Sequence, residues 1–320
     1  MTTSAVSNQL QNDTSAHFQA WYNAVTLALF TTLGVTQTSD TGQIGATASV
    51  PAANTSAGYV IGRFNDTLQS TTPIFFKLEF GTGSSGIPQM WLTVGTSSNG
   101  SGTIGSGGGG AVSTRVACMN GSGAVASSGA LTFRFCYLGT TQAGILWCGI
   151  GYNGVILGTT PGAYGGFCIM RTSDSSGNAS SAGIVCMVTQ SSATNPGNAA
   201  ANGYQQNISI ANSALIPTTP INSWESIPAT GNQFILGLTA TLVGSTAFVA
   251  PIYTCDPLIK YSAYFATGML TDFAFANTSS FAIVGGTPMT FIAAGCIFGS
   301  AIGFNGNGSA ATRTIILPWQ

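Results

Sequence analysis

Pro73-Ile74-Phe75-Phe76-Lys77-Leu78-Glu79-Phe80 puts Ile74, Phe76, Leu78 and Phe80 on one side of an extended chain and Phe75, Lys77 and Glu79 on the other. Successive side chains of a β-strand point to opposite faces, so this alternation marks a strand with one face in a core. Met90 to Val94 alternates in the same way, and Leu131 to Leu138 sets Phe133, Phe135 and Tyr137 against Thr132, Arg134 and Cys136. Ile145 to Gly151 and Val155 to Leu157 flank Tyr152-Asn153-Gly154. Asn-Gly supplies the positive φ of a tight hairpin turn.

Further strands are expected over Gly183 to Thr189, Phe234 to Leu242, Thr246 to Ile252, Phe281 to Val284, Met289 to Ala293 and Arg313 to Leu317. Tracts rich in Gly, Ser and Asn separate them: Gly95 to Gly110, Asn120 to Gly129, Ser173 to Ala182 and Ser191 to Gly203. Roughly fourteen or fifteen strands with such loops predict an all-β fold of antiparallel sheets, a sandwich or jelly roll. The glycine tract Gly105 to Gly110 reads as a hinge. It divides an N-terminal helix-plus-β region for docking, residues 1–104, from a β body, residues 105–320. No fixed-period repeat points to a propeller or solenoid.

One segment breaks the pattern. From Ala16 to Leu33, the residues Phe18, Trp21, Val25, Ala28, Leu29 and Leu33 recur at helical spacing, with Asp13 or Ser15 placed to cap the start and Gly34 the end. The stripe must be covered, either by the chain's own sheets or by a neighbouring subunit. Phe18, Trp21, Val25 and Leu29 are therefore the candidate interface residues.

The 320 residues include 7 Lys or Arg and 8 Asp or Glu, 5% of positions, for a formal net charge of −1. Ordinary soluble domains are about 25% charged. With so little repulsion between copies, much of the surface is expected to be buried against partners. The chain is 44% hydrophobic and 10% aromatic, so it folds despite its 43 Gly. No Lys/Arg cluster is present, which argues against nucleic-acid binding. Met1 to Asn12 has neither a basic start nor an apolar core, so no signal peptide is read there. Phe273 to Thr312 is free of charge, but its apolar part, Met289 to Phe304, is interrupted by Gly295, Gly299 and Gly303 and is short of the ~20 residues of a spanning helix. No membrane span is expected.

Chemistry is sparse. The cysteines Cys118, Cys136, Cys148, Cys168, Cys186, Cys255 and Cys296 are widely spaced and odd in number, and read as reduced core residues. His17 is the only histidine, so neither a nucleophile triad nor a metal centre is expected, and no cofactor. A carboxylate pair would suffice for glycoside hydrolysis. The available groups are Asp13, Asp40, Asp66, Glu79, Asp174, Glu225, Asp256 and Asp272. Asp40 and Asp256 lie in turn-like strings and Asp66 follows Arg63, with which it is expected to pair. Gly105 to Gly110 matches no phosphate-loop spacing. Tyr204 and Trp224, in polar loops, are the candidate glycan contacts.

The blocks Gln37 to Gln43, Ala57-Gly58-Tyr59-Val60-Ile61-Gly62-Arg63-Phe64-Asn65-Asp66-Thr67-Leu68-Gln69, Pro73 to Gly81 and Trp91 to Thr96 resemble the N-terminal region of a group of virion structural proteins of tailed bacteriophages. The resemblance covers roughly residues 15–100, and departs near Gly45 and Gly62, where that group has bulkier residues. It implies a particle component made in the host cytoplasm and no catalytic residues. On that reading the chain is a tail, baseplate or fibre-base subunit, a homo-oligomer (trimer or hexamer) contacting other virion proteins. The alternatives are a capsid decoration protein, a module binding a host-surface glycan, and a depolymerase.

Overall fold

The computed structural model describes residues 2–9, 15–83, 86, 88–105, 115–119, 130–139, 144–152 and 165–173, and beyond these the backbone of the strands named below. The chain opens with a strand, β1 (Thr2–Gln9), which its polar composition did not advertise. Helix α1 (Ser15–Leu27) comes next, then a single π-helical turn over Ala28–Thr32. The turn ends in Leu33 N–H donating to Ala28 O at 2.9 Å, and Gly34 takes the left-handed conformation at φ 74° that stops the helix where expected. At the start of the helix the Ser15 hydroxyl accepts from Val50 N–H at 3.3 Å.

The next strands are β2 (Thr36–Gln37), β3 (Ser56–Arg63), β4 (Phe75–Thr82), β5 (Pro88–Gly95), β6 (Ser97–Ser98), β7 (Ile104–Gly105) and β8 (Val116–Ala117). After them come β9 (Ala130–Leu138), β10 (Ile145–Tyr152), β11 (Gly165–Ser173), β12 (Ala179–Val188) and β13 (Asn207–Ala211). The last are β14 (Leu238–Leu242), β15 (Ser245–Thr254), β16 (Ala263–Thr271), β17 (Thr278–Ile283), β18 (Met289–Ala293) and β19 (Thr314–Pro318). Every pairing among them is antiparallel, and the described fold is strand-rich with one helix.

One sheet is five-stranded, β2-β3-β4-β5-β8, beside a small β6-β7 ribbon. The other is 12-stranded. It begins as a meander, β1-β9-β10-β11 with β12 and β13 continuing beyond β11. Through two residue pairs of β11 and β16 it joins the strands β14–β19, whose pairings β14–β15, β15–β16, β16–β19, β18–β19, β17–β18 and β14–β17 return upon themselves. The expected hairpin after Gly151 is not what pairs β10, which lies between β9 and β11; Val155 to Leu157 fall outside the described residues. So do most of the Gly105 to Gly110 tract and residues 294–304.

Alternation explains the core. Phe76, Leu78 and Phe80 of β4 are fully buried opposite Val94, Leu92 and Met90 of β5. On the second sheet, Phe135, Cys148 and Phe167 form one cross-strand row, and Tyr137, Leu146 and Ile169 the next. Helix α1 joins the same core: the Trp21 ring lies 5.3 Å from Phe80 and 6.2 Å from Phe133, touching both sheets. The boundary expected between residues 104 and 105 is crossed in both directions, because β1 lies beside β9 and β8 lies beside β5. Among the described residues, one core is shared by α1, β4, β5 and β9–β11, from both sides of that boundary.

Candidate functional site

The most concentrated chemistry sits where the β3–β4 connection meets the larger sheet. Phe64 N–H donates to Ile74 O at 3.1 Å, closing a turn that carries Asp66 inward. Arg171, near the end of β11, meets it: Nε donates to Asp66 Oδ2 at 2.5 Å, Nη2 to Oδ1 at 2.7 Å, and Nη1 to Thr72 O at 2.5 Å. Both side chains are 0% exposed. The expected Arg63 pair is therefore replaced. Arg63 is exposed at the end of β3, while the buried Arg171 offers a planar two-pronged donor. Gly144 makes room, since a Cβ there would lie 2.3 Å from Asp66 Oδ2.

Beside this pair, Tyr137 donates to Asn65 Oδ1 at 2.7 Å and accepts from Asn65 N–H at 3.0 Å. Burial pushes the Tyr137 hydroxyl up to about 12; the Asn65 bond and Arg171 pull the other way and the Asp66 charge adds to the rise. A phenol held neutral and a carboxylate saturated by a guanidinium make a tie between two sheets.

Asp40 forms a second polar centre. Its Oδ1 accepts from the Ser98 hydroxyl and from Gly102 N–H at 3.2 Å, clasping the β6–β7 ribbon to the segment before β3. Burial alone would raise this carboxyl, but hydrogen bonds from Ser98, Thr38, Gly102 and its own backbone hold it below its ordinary value. Nearby, Gln43 stands in for a strand: its Oε1 accepts from Ile61 N–H at 3.0 Å and its Nε2 donates to Thr38 O at 2.7 Å. Glu79, the third described carboxylate, accepts from Arg115 Nε at 2.8 Å with Lys77 Nζ 3.9 Å away, on the outer face of β4. Arg115 also lies over the Trp91 ring at 4.1 Å and Lys77 over Tyr59 at 4.5 Å.

The candidate interface residues lie in the chain's own core, with Phe18 at 1% exposure and Trp21, Val25 and Leu29 at 0%. A stripe packed against both sheets is not offered to a neighbour, so the docking role expected of these four is corrected. Tyr204 and Trp224 are outside the described residues, as are Asp13, Asp174, Glu225, Asp256 and Asp272. Cys118, Cys136 and Cys148 are buried, and burial pushes the Cys136 thiol up to about 12. Among the described residues no group of His, Cys, Asp and Glu has the makings of a metal site, and no helix is long and apolar enough to cross a membrane. Sequence reasoning missed Arg171, Tyr137, Ser98 and Arg115. Arg171 lies 105 residues from Asp66, and no local spacing links them.

Comparison with protein-family models, curated proteins and solved structures gives no match.

Proposed function

We propose that the chain is a non-catalytic structural subunit of a tailed-bacteriophage virion, a tail, baseplate or fibre-base component. It works by contact with copies of itself, as a trimer or hexamer, and with other virion proteins. Its antiparallel sheets pack as a sandwich or jelly roll around the shared core.

The observation that carries this reading is how the scarce charges are used. All three described carboxylates, Asp40, Asp66 and Glu79, are engaged within the fold. Among the described residues, what faces outward is mostly Ser, Thr, Asn, Gln, Ala and Gly, in a chain that is 5% charged. A neutral surface of this kind favours association by shape over steering by charge. The resemblance over residues 15–100 supplies the particle.

The test is the solution mass of the purified chain together with its copy number in intact particles, counted by quantitative mass spectrometry. A defined oligomer present in tens of copies or fewer supports a tail-region subunit. Monomers in solution with hundreds of copies per particle indicate capsid decoration, and absence from particles removes the virion reading.

A further inference from the structure

The β6–β7 ribbon turns through Asn99-Gly100, which among the described residues is the one Asn-Gly pair. Both residues are exposed. The turn is tightly bonded. Asn99 N–H donates to Thr103 O at 3.1 Å, and Thr41 N–H donates to Gly100 O at 2.9 Å. Asn99 Oδ1 accepts twice, from Ser101 N–H at 2.9 Å and from Thr103 N–H at 3.0 Å. Gly100 itself sits at φ 80°.

The bond from Ser101 N–H to the side-chain oxygen two residues back closes an Asx turn. Such a turn curls the side chain back along its own main chain. The atoms it brings round, Cγ, Cβ, Cα and the carbonyl carbon of Asn99 with the Gly100 nitrogen, are the five members of a succinimide ring. Only the bond from Cγ to that nitrogen is missing. Two further features favour its formation. The two N–H groups at Oδ1 face the oxygen on which negative charge collects when a nucleophile adds to Cγ, as donors do in an oxyanion hole. Gly100 has no side chain to obstruct its nitrogen.

We propose that Asn99 is a site of spontaneous deamidation, promoted by its own turn and needing only water. The Gly100 nitrogen gives up its proton and adds to Asn99 Cγ. The bond from Cγ to Nδ2 breaks, and Nδ2 leaves with the proton as ammonia. One water then adds to either carbonyl carbon of the succinimide, whose bond to the nitrogen breaks as the nitrogen regains a proton. The product is aspartate or isoaspartate at position 99, with a new negative charge. Gly102 N–H, between the two donors to Asn99, already serves Asp40 Oδ1 at 3.2 Å. Two carboxylates then share three successive amides of one turn, in a chain that has only 8 Asp or Glu. This chemistry holds whether or not the chain belongs to a particle.

The purified full chain is incubated in native, mildly alkaline buffer made with water labelled by heavy oxygen, beside a synthetic peptide spanning Thr96 to Gly105. Both are then read by peptide mass spectrometry. The expected result is an acid at position 99 carrying one heavy oxygen, formed severalfold faster in the folded chain than in the peptide. An isoaspartate-specific methyltransferase should methylate part of that product. Gly100→Ala sets a methyl group beside the attacking nitrogen and should slow the reaction, and no atom stands within 4 Å to clash with that methyl. An Asn99 that keeps its amide in the folded chain while the peptide reacts overturns the proposal. So does a folded chain no faster than the peptide, or a Gly100→Ala chain as fast as the wild type. If Gly100→Ala fails to fold, the comparison of wild-type chain and peptide decides alone.

Discussion

Arg171 and Asp66 are 0% exposed and hydrogen-bonded to each other twice, so each depends on the other to be buried at all. Arg171→Met leaves a carboxylate without its partner, which costs about 3–5 kcal/mol, whereas replacing both with apolar residues of similar volume recovers much of that loss. Urea unfolding of the single and double variants checks this. Gln89 presents the opposite case: its side-chain oxygen and nitrogen are both buried without a partner. Gln89→Met removes that cost and should stabilise by about 1 kcal/mol or more in the same assay. Gly62 is confined by its neighbours. A Cβ there would lie 2.4 Å from Phe76 Cζ and 3.0 Å from Phe30, so Gly62→Ala overpacks the core, while nothing stands within 4 Å of a Cβ at Gly45. At Asp40 the folded carboxyl is held below its ordinary value, so its contribution is present above the unfolded value and lost as pH falls through the folded one. Ser98→Ala should therefore bring acid unfolding to a higher pH, measured by fluorescence between neutrality and about pH 2.

Among the elements, α1 is the one whose surroundings settle an open choice. Trp21 touches Phe80 on one sheet and Phe133 on the other, and Leu29 is fully buried. Trp21→Asp with Leu29→Asp should therefore unfold the chain instead of leaving a folded, unassembled subunit. Thermal melting by circular dichroism reads this directly. What was legible in the sequence rests on periodicity: β4, β5, β9, β10, β18 and the helix stop at Gly34 carry one-sided apolar patterns or a left-handed glycine. β1 was not legible because Thr, Ser and Asn alternate with little contrast and its partner lies more than a hundred residues away. β2, β6, β7 and β8, each two residues long, are too short to hold a period. The polar tie at Asp66 was half legible: the carboxylate stood out, but its cation was sought nearby at Arg63, whereas side chains pair through space.

At the scale of the whole molecule the two sheets are interlocked. Residues before the glycine tract supply β1 to the larger sheet, and residues after it supply β8 to the smaller one. Cleavage within 106–114 should therefore give two fragments that stay together on gel filtration in native buffer and separate only in denaturant. The same exchange sets a clock during synthesis. Val6 pairs with Phe133, so the ribosome must add over a hundred residues before the first strand finds its neighbour. At roughly 5–20 residues per second this is a wait on the order of ten seconds. For that time a neutral, extended segment is exposed beside other nascent chains on the same message. Polysome spacing and translation speed, as much as final stability, then govern how much of the product reaches its native pairing.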